Sequence, residues 1–400
     1  MIALRSLPRT VWLIGLISLV NDSASELIYP LVPLYLTSVL MAGPKALGII
    51  EGIAEATASL LKLFSGIVVD KTRHTKPWVV FGYSMAAFGR PLIAFVTSWH
   101  GLLALRFADR LSKGIRSSPR DALLASSVDT KSRGLAFGIH RAMDNAGAVL
   151  GPLIAALMLS MEIPLKEVFL WTIVPAVLCI VFTLMLKEPE HQEPIVRHPF
   201  DWRLRNMPPV FKRYLIVVGL FTLGCSSDMF LLLRARELGV PQSHIPLLWA
   251  AVSAIAMILS APLSALSDKV GRFRVLIIGY IAYALFYMAM GLISANGALL
   301  FALFGFYGVF LAATEGVEKA LVADLAPKGL QGSAFGLFNM TAGIMLLPAS
   351  IIFGNLYESI SPLTAFCFSS ICAGLAALLL WLWVKLPKVE NLPNLDPNEK

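Results

Sequence analysis

Residues 66–76 read GIVVDKTRHTK, and residues 264–274 read SALSDKVGRFR. Each stretch ends a long apolar segment and carries an aspartate followed by lysine at the same place, Asp70 and Asp268. These aspartates are 198 positions apart (268 − 70). A second pair, RGLAFG at 133–138 and QGSAFG at 331–336, repeats at the same offset. Two matches at one offset indicate that the chain consists of two related halves.

The composition places both halves in a lipid bilayer. Of the 400 residues, 57% are hydrophobic and 14% are charged, and the mean hydropathy is +0.74. A helix needs about 20 apolar residues to cross the hydrocarbon core, and it satisfies its backbone hydrogen bonds internally. We count about twelve such segments by this length rule. We predict an all-α membrane protein of two six-helix bundles, with transmembrane helices at 11–38, 47–69, 77–98, 101–121, 134–159, 167–186, 213–235, 244–266, 274–294, 297–320, 332–357 and 361–385.

Basic residues fall on alternate connections between these helices. By the positive-inside rule, both termini and the central connection are cytoplasmic. The net charge of +8 follows from this bias, so the basic residues need no nucleic-acid partner. The residues that set this orientation are Arg5, Arg9, Lys71, Arg73, Lys76, Arg120, Lys131, Arg133, Lys187, Arg197, Arg203, Arg205, Lys212, Arg213, Lys269, Arg272, Arg274, Lys328, Lys385 and Lys388.

The only long polar interruption, residues 187–212, separates the first six helices from the second six. We predict an N-terminal bundle at 1–186, a cytoplasmic linker at 187–212, a C-terminal bundle at 213–388 and a cytoplasmic tail at 389–400. The linker is too short to be a catalytic domain, and the sequence has no Walker A, HExxH or dinucleotide-type glycine motif. We therefore expect a monomer in the cytoplasmic membrane, neither an enzyme nor dependent on a cofactor.

The repeated signature resembles the glycine-x-x-x-aspartate-basic motif of the major facilitator superfamily. Its second copy is close to the full pattern, whereas the first has Arg73 where the pattern has glycine. Residues 110–114 (RLSKG) are similar to that superfamily's arginine-x-x-x-glycine motif. Residues 147–152 (GAVLGP) resemble its antiporter motif, although Ala155 stands where a second glycine is common. The resemblance implies a transporter of the bacterial drug/proton antiporter type.

Both motifs also have a direct physical interpretation. An aspartate at a helix end can accept hydrogen bonds from a neighbouring helix N-terminus and hold the cytoplasmic side shut. The alternative is a solvated loop acid. Gly147 and Gly151 permit close helix contact, and Pro152 can bend the helix, a pattern also common in simple packing. We predict gating residues at Gly66, Asp70, Lys71, Asp268, Lys269 and Arg272.

Asp22 and Glu26 lie near the middle of the first helix, four positions apart and on one face. Burying ionised carboxylates in a membrane is costly, so the two side chains must be paired, hydrated or protonated. A carboxyl that gains and loses a proton there is suited to proton coupling. The alternative is a structural hydrogen-bond cluster with Asn21 and Ser23.

The second and fourth helices carry further charges. On the second helix we expect Glu51 at a solvated end, whereas Glu55 lies deeper. The fourth helix carries Arg106, Asp109, Arg110, Lys113 and Arg116, a ladder that must face a cavity rather than lipid. Arg106 and Arg110 either bind an anionic substrate or neutralise nearby acids, and the near balance of charges favours the second role.

The fifth and seventh helices complete the set of candidates. His140 and Asp144 share one face of the fifth helix with the glycine pair, and a histidine there is either structural or a proton carrier. No further histidines lie near enough in sequence to suggest a metal site. We predict proton coupling by Asp22, Glu26, Glu55, Asp109, Arg110, His140 and Asp144, and substrate binding by Arg106, Arg110, Asp228 and Arg234.

Two function classes fit a chain of this kind. A channel, receptor or membrane enzyme is one, and a secondary active transporter is the other. The doubled halves and paired signatures favour a transporter with a binding site between the bundles near the midplane. We predict export of a small organic solute by proton antiport. Proton-coupled uptake of an anionic metabolite or siderophore is the alternative.

Overall fold

The computed structural model describes residues 7–72, 75–128, 133–187, 207–294, 297–326 and 331–384. Within these ranges every regular element is helical, which confirms the predicted fold class. We number twelve membrane helices: α1 Arg9–Ser38, α2 Pro44–Thr72, α3 Lys76–Phe95, α4 Trp99–Ser126, α5 Arg133–Ser160, α6 Leu165–Leu184, α7 Pro209–Glu237, α8 Ile245–Val270, α9 Arg272–Leu292, α10 Gly297–Leu325, α11 Gln331–Ser359 and α12 Pro362–Trp383.

Ten of these helices are long and apolar enough to cross a membrane. The other two are α2 and α4, which carry charged residues along the span and are 29 and 28 residues long. These two helices are long enough to cross a membrane, so their charged residues distinguish them from the other ten. Their polar content is tolerated only if it faces the interior of the bundle.

Three of the described helices are interrupted: α6 at the single residue Thr172, between Leu165–Trp171 and Ile173–Leu184, and α1 and α7 over several residues. In α1 a 3-10 turn at Tyr29–Leu31 separates Arg9–Ile28 from Val32–Ser38, and the turn contains a proline, which removes a backbone donor. In α7 the chain leaves the helix after Gly224 and resumes it at Met229. The sequence pattern predicts α7 as one uninterrupted helix. The break presents non-helical backbone at membrane depth, which is tolerated only inside protein or along a water-filled cavity.

The packing follows the sequence repeat. Within the first half α1 packs on α5, α2 on α4 and α3 on α6, and within the second half α7 packs on α11, α8 on α10 and α9 on α12. Between the halves α2 packs on α11 and α5 on α8. Exchanging the halves converts each cross-half pair into the other. The internal repeat of the sequence is thus an internal symmetry of the fold.

The halves meet most closely at the end where α1 joins α2. There the backbone N–H of Lys45 donates to Glu358 at 2.8 Å, and α2 packs against α11 through glycines. A methyl group on Gly354 would lie 2.8 Å from the carbonyl oxygen of Pro44. We call the opposite end, where α2 joins α3 and α8 joins α9, the motif end because the two signatures lie there. The contact between α2 and α11 extends from the end where α1 joins α2 at least to Ser59 and Gly343, near the middle of both helices.

Candidate functional site

The interior of the first half is built from ion pairs, which we call the ionic core: Glu51, Glu55, Arg90, Arg106, Asp109 and Arg110. Arg106 on α4 donates to Glu51 Oε1 from Nε at 2.9 Å and from Nη2 at 2.7 Å. The Glu51 side chain is 0% exposed. The expectation of a solvated Glu51 is therefore wrong: α2 is packed against α4 and α11 at this level, so no water reaches the carboxylate.

Arg90 on α3 connects three helices. Its Nε lies 3.1 Å from Asp109 Oδ1 on α4, and its Nη1 donates to the carbonyl and side-chain oxygens of Asn21 on α1 at 2.9 and 3.0 Å. Sequence reasoning missed Arg90. An arginine inside an apolar helix, directly before Pro91, was the signal that could have found it.

The arginines of the predicted ladder on α4 contact carboxylates and aromatic rings of the protein itself. Arg110 Nε lies 3.1 Å from Glu55 Oε1, and Arg106 lies 3.9 Å from Asp109. Further along the helix, Arg116 lies over the ring of Tyr83, 4.6 Å from its centre. The arginines that were candidates for an anionic substrate thus have partners within the protein, an arrangement typical of counter-ions.

The carboxyl groups of Asp22 on α1 and Asp144 on α5 are within hydrogen-bonding reach of each other. Asp144 also accepts a hydrogen bond from Ser18 Oγ at 2.8 Å, and Asp22 accepts one from Asn21 Nδ2 at 2.8 Å. Two carboxylates this close repel when both are ionised, so a proton bound to either one would relieve the repulsion, and Arg141 Nη1 lies 3.6 Å from Asp144 Oδ2. We call Asp22 and Asp144 the carboxyl pair.

Gly147 and Gly151 bring α5 against α1 at the carboxyl pair. A methyl group on Gly147 would lie 2.6 Å from the carbonyl oxygen of Leu19 and 3.1 Å from Cβ of Asp22. On Gly151 it would lie 2.5 Å from the carbonyl oxygen of Ser23. The glycines therefore set the distance between the two helices that carry the carboxyls, and Pro152 follows directly inside α5.

His140 lies one turn from Asp144 toward the motif end. It is 5% exposed, and its Nε2 has no hydrogen-bond partner among the described residues. The described residues contain no group of three or more His, Cys, Asp and Glu that could hold a metal ion.

Two hydrogen bonds and one aromatic contact cross between the halves near the middle of the described fold. Trp249 Nε1 on α8 donates to Glu26 Oε2 on α1 at 2.9 Å. The same indole stacks on Tyr29, with ring centres 5.1 Å apart. Ser227, in the break of α7, donates to Glu51 at 3.4 Å. The predicted interface site near the midplane thus contains Glu26, joined by a tryptophan that sequence reasoning did not select.

Asp228 and Arg234 have separate partners. The hydroxyl of Tyr307 on α10 donates to Asp228 Oδ1 at 2.5 Å, in the break of α7. Arg234 lies in the second part of α7, 3.6 Å from Glu237, which in turn accepts a hydrogen bond from Tyr357. Asp228 therefore belongs to the middle of the fold, while Arg234 lies toward the end opposite the motifs.

Among the described residues an ion pair of Arg141 crosses between the halves on the motif-end side of the middle, and the same arginine lies 3.6 Å from Asp144 within the first half. Arg141 Nη2 on α5 lies 3.1 Å from Glu315 on α10, and Lys319 reaches the same carboxylate at 3.1 Å. Arg141 is 57% and Glu315 is 53% exposed, so the pair faces water.

The predicted gating residues are only partly described. The side chains of Gly66, Asp70, Lys71 and Asp268 lie outside the described part of the chain. Lys269 is exposed at the end of α8. Arg272, at the start of α9, donates to the carbonyl oxygen of Ala320 at 3.1 Å and pairs with Asp324 at 2.7 Å on α10.

The sequence matches the model of the Major Facilitator Superfamily over residues 12–234 and 229–399. It is 34% identical over 386 residues to the MFS-type transporter MJ1317 of Methanocaldococcus jannaschii, covering 94% of this chain and 95% of the relative. It is 24% identical over 319 residues to the multidrug resistance protein MdtH of Photorhabdus laumondii, covering 77% of each chain. The chain belongs to the major facilitator superfamily of membrane transporters.

Transporters named for different solutes have solved structures of the same fold. The nucleoside transporter NupG (D323A mutant) superposes with a TM-score of 0.79 at 14% identity, covering 94% of this chain and 99% of NupG. A POT family transporter in complex with a thioalcohol-conjugated peptide superposes with a TM-score of 0.78 at 12% identity, covering 95% and 98%. These similarities concern the fold alone.

Proposed function

We propose that the protein exports a small organic solute across the cytoplasmic membrane in exchange for protons. The carboxyl pair is the observation that carries this proposal. Asp22 and Asp144 lie on two helices of one bundle, held together by glycines, and are close enough to share a proton. Relatives named multidrug resistance proteins support the direction of transport.

The carboxyl pair supplies a physical link between protonation and movement. Two unit charges about 4 Å apart repel by roughly 4 kcal/mol at an effective dielectric of about 20. Loss of the shared proton therefore favours a conformation in which α1 moves relative to α5. Cross-half contacts of α1, such as that of Glu26 with Trp249, then transmit the change to the second bundle.

The remaining elements of the proposal follow the organisation predicted from the sequence. The bundles at 1–186 and 213–388 rock about a central site, with both termini in the cytoplasm and the Asp70 and Asp268 signatures closing the cytoplasmic side. The protein acts as a monomer without a cofactor. The ion pairs made by Arg106 and Arg110 weaken the alternative of anion uptake, because those guanidinium groups already bind carboxylates.

Proteoliposomes with an entrapped pH indicator test the proposal. Solutes such as ethidium, fluoroquinolones and organic anions are added with a pH gradient of either sign imposed. Solute movement opposite to proton movement is expected for at least one compound. Proton movement in the same direction as the solute would support symport and overturn the proposal.

Variants of the carboxyl pair identify the coupling site. Asp22→Asn and Asp144→Asn should each abolish pH-driven net flux, because the pair can no longer release and rebind its proton. Glu167→Gln removes one exposed acid at the start of α6 and should transport normally. Normal pH-driven flux in both pair variants would assign the pair a purely structural role.

A further inference from the structure

Glu318 on α10 is an acidic side chain in the aromatic interior of the second half. Tyr280 on α9 donates a hydrogen bond to Glu318 Oε1 at 3.1 Å. The Tyr280 ring is fixed by stacking on Phe221, with ring centres 3.7 Å apart, and the residue is fully buried. The carboxyl group is therefore held at a defined place by a neutral donor.

No basic side chain forms an ion pair with Glu318 within the described part of the fold. The nearest cation along the helix, Lys319, binds Glu315 at 3.1 Å instead. Consecutive positions on a helix point in directions about 100° apart, so Lys319 lies on a different face of α10 from the Tyr280 contact, although it is close enough to Glu318 to interact electrostatically. An ionised carboxylate in an apolar interior without a cation is costly, whereas a protonated one is not.

The surroundings also offer a free hydrogen-bonding group. Tyr214 on α7 lies close enough to interact electrostatically with Glu318, it is fully buried, and its hydroxyl has no partner among the described residues. An unpaired buried hydroxyl is unusual and calls for an explanation. A carboxylic acid at Glu318 needs an acceptor for its own O–H, and the Tyr214 oxygen is available for that role.

The other groups around Glu318 leave this interpretation unchanged. Cys225 faces it from α7, and Glu315 precedes it by one turn on α10. In the described portions of α8 and α11, no side chain makes a hydrogen bond or ion pair with it. Glu315 is 53% exposed, and Glu318 itself is half-buried, so a proton has a short route from water.

We propose that Glu318, with Tyr280 and Tyr214, forms a second proton-binding site, located in the C-terminal half and separate from the carboxyl pair. The importance of this site for transport rests on the proposed proton coupling. Proton binding at this site does not depend on the proposed coupling, and it can be measured without a solute or a gradient.

Infrared difference spectroscopy of the purified full-length protein in lipid nanodiscs tests the site. The protonated carboxyl signal is recorded between about pH 4 and pH 9, a range that covers the titration of carboxyl groups buried in proteins. Glu318→Gln should remove one carboxyl component from the titration. Asp22→Asn should leave that component in place, which separates this site from the proposed coupling site.

Two further variants sharpen the result. Tyr280→Phe removes the donor that stabilises the ionised form, so the Glu318 component should persist to higher pH than in the unsubstituted protein. Glu315→Gln removes a neighbouring acid that already has two cationic partners, and the Glu318 component should still be present in this variant. A titration in which Glu318→Gln loses no component would overturn the proposal, and so would loss of the same component in Glu315→Gln.

Discussion

The two halves share a helix arrangement but differ in what fills their interiors. The first half holds its helices together with ion pairs such as Arg90 with Asp109 and Arg106 with Glu51. The second half holds the equivalent helices with stacked aromatic rings, including Phe221 on Tyr280. One backbone symmetry therefore supports two kinds of interior.

The difference matters because the two interiors respond differently to protons. In the ionic core each acid is paired with an arginine, so its negative charge is stabilised by a neighbouring cation. In the aromatic half two acids accept hydrogen bonds from neutral donors instead, Asp228 from Tyr307 and Glu318 from Tyr280. The ionic core thus gives rigidity, whereas the carboxyl pair of the first half and the tyrosine-bound acids of the second half are the candidates for proton binding.

The largest expected effect is on stability in the ionic core. Arg106→Met should destabilise the protein by about 3 to 5 kcal/mol, because it leaves the buried Glu51 carboxylate unpaired. Adding Glu51→Gln should recover much of that loss, since no uncompensated charge then remains. Unfolding followed in detergent micelles measures both variants. Equal stability of the single variant and the unsubstituted protein would mean that the ionic core does not hold the first half together.

The next effect compares equivalent helix contacts in the two halves. Gly151→Ala should cost about 1 to 3 kcal/mol, because the new methyl group overlaps the backbone of α1. Gly219→Ala, in the matching α7–α11 contact, meets its nearest atom at 3.5 Å and should be tolerated. Thermal unfolding of the two variants tests this difference. If both were equally destabilising, the α1–α5 contact would be no tighter than its counterpart.

A smaller effect is expected at Asp228. Tyr307→Phe removes its hydroxyl donor and should cost about 1 to 2 kcal/mol, because the carboxyl loses its hydrogen bond in a poorly solvated place. The control Tyr35→Phe removes a hydroxyl that donates to the carbonyl oxygen of Val96 at 2.9 Å. Unfolding at low and high pH distinguishes the variants: the effect of Tyr307→Phe should be greater at high pH, where the carboxylate is charged. A pH-independent cost equal to that of the control would contradict this account.

The smallest effect is expected at the exposed cross-half ion pair. Arg141→Gln and Glu315→Gln should each change stability by about 0 to 1 kcal/mol, because water solvates both groups. A double-mutant cycle measures the coupling between them. A coupling well above this range would show that the motif-end side of the interface is held together as firmly as the ionic core.

Sequence reasoning identified the residues that carry charge more reliably than it identified their partners. Asp22, Asp109, Arg106 and Asp144 stood out because ionisable residues are rare in apolar helices. Glu51 was assigned to a solvated end because only its distance from the start of α2 was visible. Its actual partner is 55 positions away in the chain.

Composition, length and the repeat at 198 positions were enough to determine the class of fold, since a bilayer leaves few ways to satisfy the backbone. The break in α7 was beyond such reasoning, because its segment is as apolar as an unbroken helix. The pairing of Arg90 with Asp109 and the isolation of Glu318 were also beyond such reasoning, because no local pattern of residues indicates either one. Periodicity and composition are properties of single segments, whereas the partner of a buried charge depends on which helices pack together, and only the tertiary structure decides that.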